Sequence, residues 1–101
     1  MNTSIIRNAI ARKNIIEFTY KGYPRIAEPH IYGMKNGKRQ LLVYQIGGAT
    51  SSGGGSIPSW RRMDINEISG LRVTDQKFAG PRDNPSMEHS NWDTIIAKVE
   101  R

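Results

Sequence analysis

Ile16-Glu17-Phe18-Thr19-Tyr20-Lys21-Gly22-Tyr23-Pro24 decides the fold. Ile16, Phe18 and Tyr20 alternate with Glu17 and Thr19. That period of two places one face of a β-strand against a core and leaves the other wet. Lys21-Gly22-Tyr23-Pro24 then turns the chain. Working outward, Arg25 to Tyr32 reads as a second strand, interrupted at Pro29. Proline cannot donate to a ladder, so Pro29 marks an edge or a bulge. Lys35-Asn36-Gly37-Lys38 carries the Asn-Gly signal of a tight hairpin. Leu41 to Ile46 is the most strand-like run. Trp60 to Ile65 reads as a fourth strand, and Leu71 to Thr74 as a fifth after a short turn around Asn66-Glu67.

The flanks read as helices. Thr3 or Ser4 can cap a first one, whose apolar stripe is Ile5, Ile6, Ala9 and Ile10. Arg12 and Lys13 fall near its C-terminal end, where the helix dipole favours cations, and Asn14 is a reasonable stop. Phe78 to Pro85 reads as an irregular crossing segment. Ser90 and Asp93 form a capping box, and Trp92, Ile95, Ile96 and Val99 then give the stripe of a closing helix. The expectation is a mainly β domain over residues 1–101 with flanking helices, its five short antiparallel strands forming a small curled sheet or partly open barrel.

Composition bounds the function. The chain has 101 residues, a net charge of +6 and no cysteine. Disulfides, thiolate catalysis and cysteine-based zinc sites are excluded. No apolar run approaches the roughly 20 residues that span a bilayer, and the first residues lead into an amphipathic segment rather than a signal-peptide core. A cytoplasmic setting without membrane attachment is expected. The basic balance favours encounters with polyanions without saying which.

The most informative spot for function is Trp60-Arg61-Arg62, which follows the loop Gly47 to Ser56. An aromatic beside guanidinium groups, next to a backbone rich in N–H donors, suits an anion with a flat face. Met63 and Ile65 look inward, so Arg61 shares their parity, while Trp60 and Arg62 take the other face. Arg61 then needs a partner. Either Glu17, Glu28 or Asp64 neutralises it, or a ligand anion does. Trp60 either packs over the sheet or stacks on a base. Tyr20, Arg25 and Tyr44 form a second group that could line one groove. Ser51 and Ser52 offer loop donors, but the loop is neither a Walker loop nor a dinucleotide fingerprint. His30 and His89 have no ligand-spaced partners, so neither a metal site nor a histidine catalyst is expected; His30, following Pro29, is kept as a groove residue.

In their order, these features resemble the WYL domain, a small SH3/Sm-like β-barrel module of bacterial transcription regulators and defence proteins. The likeness covers residues 4–78, with 79–101 as the C-terminal crossing segment and helix. It rests on an Ile-x-x-Ala-Ile helix, on Ile16-Glu17-Phe18-Thr19-Tyr20, on Arg25-Ile26-Ala27-Glu28-Pro29, and on Trp60-Arg61-Arg62-Met63-Asp64-Ile65-Asn66-Glu67-Ile68. The eponymous triplet falls on Arg39-Gln40-Leu41, where only the leucine is kept. Met63 replaces the usual phenylalanine, and Glu67 sits where a basic residue is common. The resemblance implies a small five-stranded antiparallel SH3/Sm-like barrel with N-terminal and C-terminal helices, standing alone. It also implies a non-enzymatic regulatory module that needs no cofactor and senses a nucleotide or single-stranded nucleic acid. By position it carries over Tyr20, Arg25, Tyr44 and Arg61, with Ser51 and Ser52 as loop donors. The alternative is a protein-interaction or homo-oligomerisation module that uses edge strands.

Overall fold

A computed structural model describes residues 3–48, 57–86 and 89–101. Helix α1 (Thr3–Arg12) leads into β1 (Asn14–Tyr20), β2 (Tyr23–Lys35), β3 (Lys38–Gly48) and β4 (Ser59–Asp64). A 3-10 turn (Ile65–Glu67), β5 (Ile68–Lys77) and β6 (Thr94–Lys98) complete the chain. All strands pair antiparallel, in the order β4-β3-β2-β1-β5, with β6 added to β2. Each of the five expected strands is present; β4 keeps its expected length, shifted by one residue, and the other four are longer than their sequence patterns suggested.

Local chemistry explains the joints. Ile6, Ala9 and Ile10 of α1 are buried, whereas Ile5, read as part of the same stripe, is 41% exposed. The helix stops at Lys13, which takes a left-handed conformation with φ of 58° and donates its N–H to the Ile10 carbonyl at 3.2 Å. Asn14, read as the stop, is the first residue of β1, and its Nδ2 donates to the Thr74 carbonyl at 2.9 Å. Lys21-Gly22 and Asn36-Gly37 both have positive φ at both turn positions, the twist that suits two-residue hairpins.

Pro29 sits at a bulge, as its missing donor requires. The β2–β3 register shifts between Pro29 and Ile31. On the other side of β2, β1 pairs no further than Ala27, and β6 begins at Ile31. Pro29 therefore lies in the gap between two neighbours, where no ladder donor is needed. The core gathers α1 and one face of the sheet, including Ile16, Phe18, Ala27, Leu41, Val43, Met63 and Ile65.

Two expectations are corrected. The sheet does not close into a barrel, and it has six strands rather than five. Strand β2 is 13 residues long and β1 only 7, so the second half of β2 outruns its first neighbour. β6 supplies that half with a partner, and the sheet branches where a barrel would curl shut. The closing helix is also absent: Thr94–Lys98 is that sixth strand. Of the expected stripe, only Val99 is buried among the core residues. Pairing with β2 satisfies backbone groups that an amphipathic helix would have left open on β2. Gly33 makes the approach possible, because a Cβ there would lie 2.3 Å from the Thr94 carbonyl oxygen and 2.8 Å from the Trp92 ring. Asp93 does not cap a helix. Its carboxylate accepts the Asn36 N–H at 2.7 Å and pairs with Lys35 at 3.6 Å. Among the described residues, no helix is long and apolar enough to cross a membrane.

Candidate anion-binding site

The site follows from strand register. Phe18 lies opposite Arg25, Ala27 opposite Gln45, Val43 opposite Arg61, and Leu41 opposite Met63. Residues directly opposite share a face. Arg25, Gln45 and Arg61 therefore extend the core face toward the end of the sheet where β3 stops and β4 starts. Gln45 is the hinge of the group. Its Oε1 accepts from Arg25 Nη1 at 3.2 Å, and Arg61 is its diagonal neighbour across β4. Arg25 Nη2 donates to the Tyr20 carbonyl at 3.2 Å, and the guanidinium lies 5.6 Å from the Tyr20 ring centroid. Tyr20 itself is committed: its hydroxyl donates to Glu67 at 3.3 Å and accepts the Asp64 N–H at 3.0 Å.

The electrostatics are unbalanced. Arg25 is only 3% exposed. Burial pushes its pKa below the ordinary value, and the Arg61 charge pushes it the same way. The Nε atoms of Arg25 and of Arg61 are both buried and have no hydrogen-bond partner among the described residues. The carboxylates that might have neutralised them are engaged elsewhere. Glu17 pairs with Arg72. Glu28 is held by Arg82 through two bonds of 2.8 and 2.6 Å. Asp64 accepts from Gln40 at 2.7 Å. Among the described residues, no carboxylate forms an ion pair with Arg25 or Arg61. The loop that holds Ser51 and Ser52 lies outside the described residues, but both of its flanks are at this site. Gly48 pairs opposite Arg25, and Ser59 opposite Gln45.

Trp60, Tyr44 and His30 belong to a different place. Glu28, Tyr44 and Trp60 form one cross-strand row on the reverse face. Trp60 packs on Tyr44 with centroids 4.8 Å apart, and edge-on against His30 at 4.7 Å and His89 at 4.4 Å. Its Nε1 donates to the Asn84 carbonyl at 2.7 Å. Arg82 lies 4.6 Å over Tyr44, and Phe78 stacks on His30 at 5.3 Å. Arg62 turns to Trp92, 3.9 Å from its ring. The structure thus joins Tyr20, Arg25 and Arg61, and separates them from Tyr44, Trp60 and His30. A cleft of about 590 Å³ beside Phe78 and Arg82 has its main opposite charges, Glu28 and Arg82, already joined. Among the described residues, no cluster of three or more His, Asp or Glu is placed to hold a metal ion.

Sequence reading missed Gln45, Arg82 and the role of His89. Gln45 left a signal, a polar residue within the apolar run Leu41 to Ile46. Arg82 left none, since it comes from an irregular segment.

The histidine cluster has a pH consequence. His30 donates from Nδ1 to the Glu28 carbonyl at 2.9 Å, and its pKa is lowered, chiefly by burial. The Glu28 charge opposes that shift, and His89 and Arg82 reinforce it. His89 is lowered too, by burial first and then by Lys98, against its bond to Ser86. Both groups therefore titrate below the unfolded value of about 6.5. Their stability contribution is complete above that value. It falls as the pH drops below it, because the unfolded chain binds protons that the folded one refuses. The urea midpoint is expected to decline between pH 7 and 5, and to decline less in His30→Phe. A midpoint that holds steady or climbs over that range would contradict the burial of these rings.

Comparison of the chain with models of known families, with curated proteins and with solved structures gave no significant match. The functional reading rests on the geometry just described.

Proposed function

We propose that this protein is a non-catalytic binding module of the WYL kind, with SH3/Sm-like strand order, that takes a nucleotide or single-stranded nucleic acid through Arg25 and Arg61. One observation carries the reading. Two guanidinium groups share a face, each keeps an unbonded Nε, and every described carboxylate near them is engaged elsewhere. Burying a charge without a counter-charge is costly, and a phosphate would supply the missing partner. The aromatic neighbour on this face is Tyr20, so Tyr44 and Trp60 take no part in the grip.

The test is fluorescence polarisation with short labelled single strands, titrated with NaCl. Affinity is expected to fall linearly on a log–log salt plot. Arg61→Ala should weaken binding about tenfold and make the salt slope shallower by about one. Its unfolding free energy should stay within about 0.5 kcal/mol of that of the parent protein. Binding insensitive to salt, or unchanged in the folded variant, would refute the reading.

A further inference from the structure

We propose that the Arg25–Arg61 site selects a terminal phosphate monoester, the end group of a mononucleotide or of a phosphorylated strand, over an internal phosphodiester. This rests on the anion-binding reading above and names the group that the site would hold.

Charge is the first argument. A phosphodiester carries one negative charge, whereas a monoester carries close to two at neutral pH. Two arginines without a described carboxylate partner leave two neighbouring positive charges, that of Arg25 buried and that of Arg61 half-buried. A monoanion would leave one of them uncompensated. Donor geometry is the second. The Nη atoms of Arg25 already donate to Gln45 and to the Tyr20 carbonyl, which leaves the Nε edge for a ligand. Arg61 Nε is likewise without a described partner. Two guanidinium edges suit the three free oxygens of a monoester better than the two of a diester.

Access is the third argument. Arg25 is 3% exposed, and inward of it the same face is filled by Phe18, Ala27 and Val43, all buried. At the sheet end, Gly48 lies directly against the Pro24–Arg25 backbone. A continuous sugar–phosphate backbone needs an open way in and out. A chain end needs only a way in, and the packing of Phe18, Ala27, Val43 and Gly48 around Arg25 closes the way through.

The experiment compares 3′-labelled DNA strands of one sequence with a 5′-phosphate or a 5′-hydroxyl. A 5′-labelled pair with and without a 3′-phosphate, and adenosine monophosphate as competitor, complete the set. A terminal phosphate should tighten binding about 10- to 100-fold. The gain should vanish in Arg61→Ala, be partly kept in Arg61→Lys, and survive in Arg62→Ala, whose side chain stacks on Trp92. It should also shrink below about pH 6, where the monoester loses its second charge. Equal affinity of phosphorylated and unphosphorylated strands overturns the proposal. If that shared affinity still depends on Arg61, the anion-binding reading stands and only the end-group preference falls. If no strand and no mononucleotide binds, both fall.

Discussion

Gly48→Ala is expected to lower the unfolding free energy by about 3 kcal/mol, from a left-handed backbone penalty of roughly 1–2 and a packing clash of about 1–3. Gly48 has φ of 84°, a conformation that costs any L side chain. Its position is worse than its dihedral. An added Cβ would lie 2.3 Å from the Pro24 carbonyl oxygen and 2.9 Å from the Arg25 Cα, both backbone atoms that cannot swing aside. The end of β3 would have to leave β2, carrying away the strand that presents Gln45 to Arg25. Urea unfolding gives the stability, and strand binding of the folded fraction should weaken with it. A midpoint like that of the parent protein would mean that β3 does not approach β2 so closely.

Trp60→Ala and Arg61→Ala are expected to behave in opposite ways although the residues are adjacent. Trp60→Ala should cost about 2–3 kcal/mol, at or below the low end for large aromatics because the ring is only half-buried. Its loss would remove the contacts with Tyr44, His30 and His89, and the anchor to the Asn84 carbonyl. The segment around Asn84 and His89 would lose one of its holds on the sheet, with the Arg82–Glu28 pair left in place. Affinity of the remaining folded protein for a single strand should change less than about twofold, since Trp60 faces away from Arg25. A loss of tenfold or more, with the fold intact, would return Trp60 to the binding face and undo the separation of the two clusters.

The alternation of Ile16, Phe18 and Tyr20 was legible because a strand buried on one face writes that period directly into the chain. The same logic separated Arg61 from Trp60 and Arg62. The reach of parity ends at the next strand. Tyr20, Arg25 and Tyr44 could be imagined in one groove because nothing in the sequence reveals the register shift between Ile26 and Ala27. That shift puts Gln45, not Tyr44, beside Arg25. The C-terminal segment misled for a related reason. Trp92, Ile95, Ile96 and Val99 fit a helical stripe by spacing alone, while the force that straightened them, the unpaired half of β2, lies about 60 residues away. Glu28 was visible as a candidate ion-pair partner, but Arg82 was not visible as the group that claims it.

The branching of the sheet also bears on how this protein keeps to itself. Without β6, the stretch from Ile31 to Met34 would present unsatisfied amides along the second half of β2, a template for any passing extended chain. β6 exchanges that opening for a border of its own only 5 residues long, with Lys98 at its end. Ile95 and Ile96 stay 45% and 41% exposed along it. The brevity and the charge of this border, rather than burial, are what discourage those two isoleucines from recruiting a neighbour.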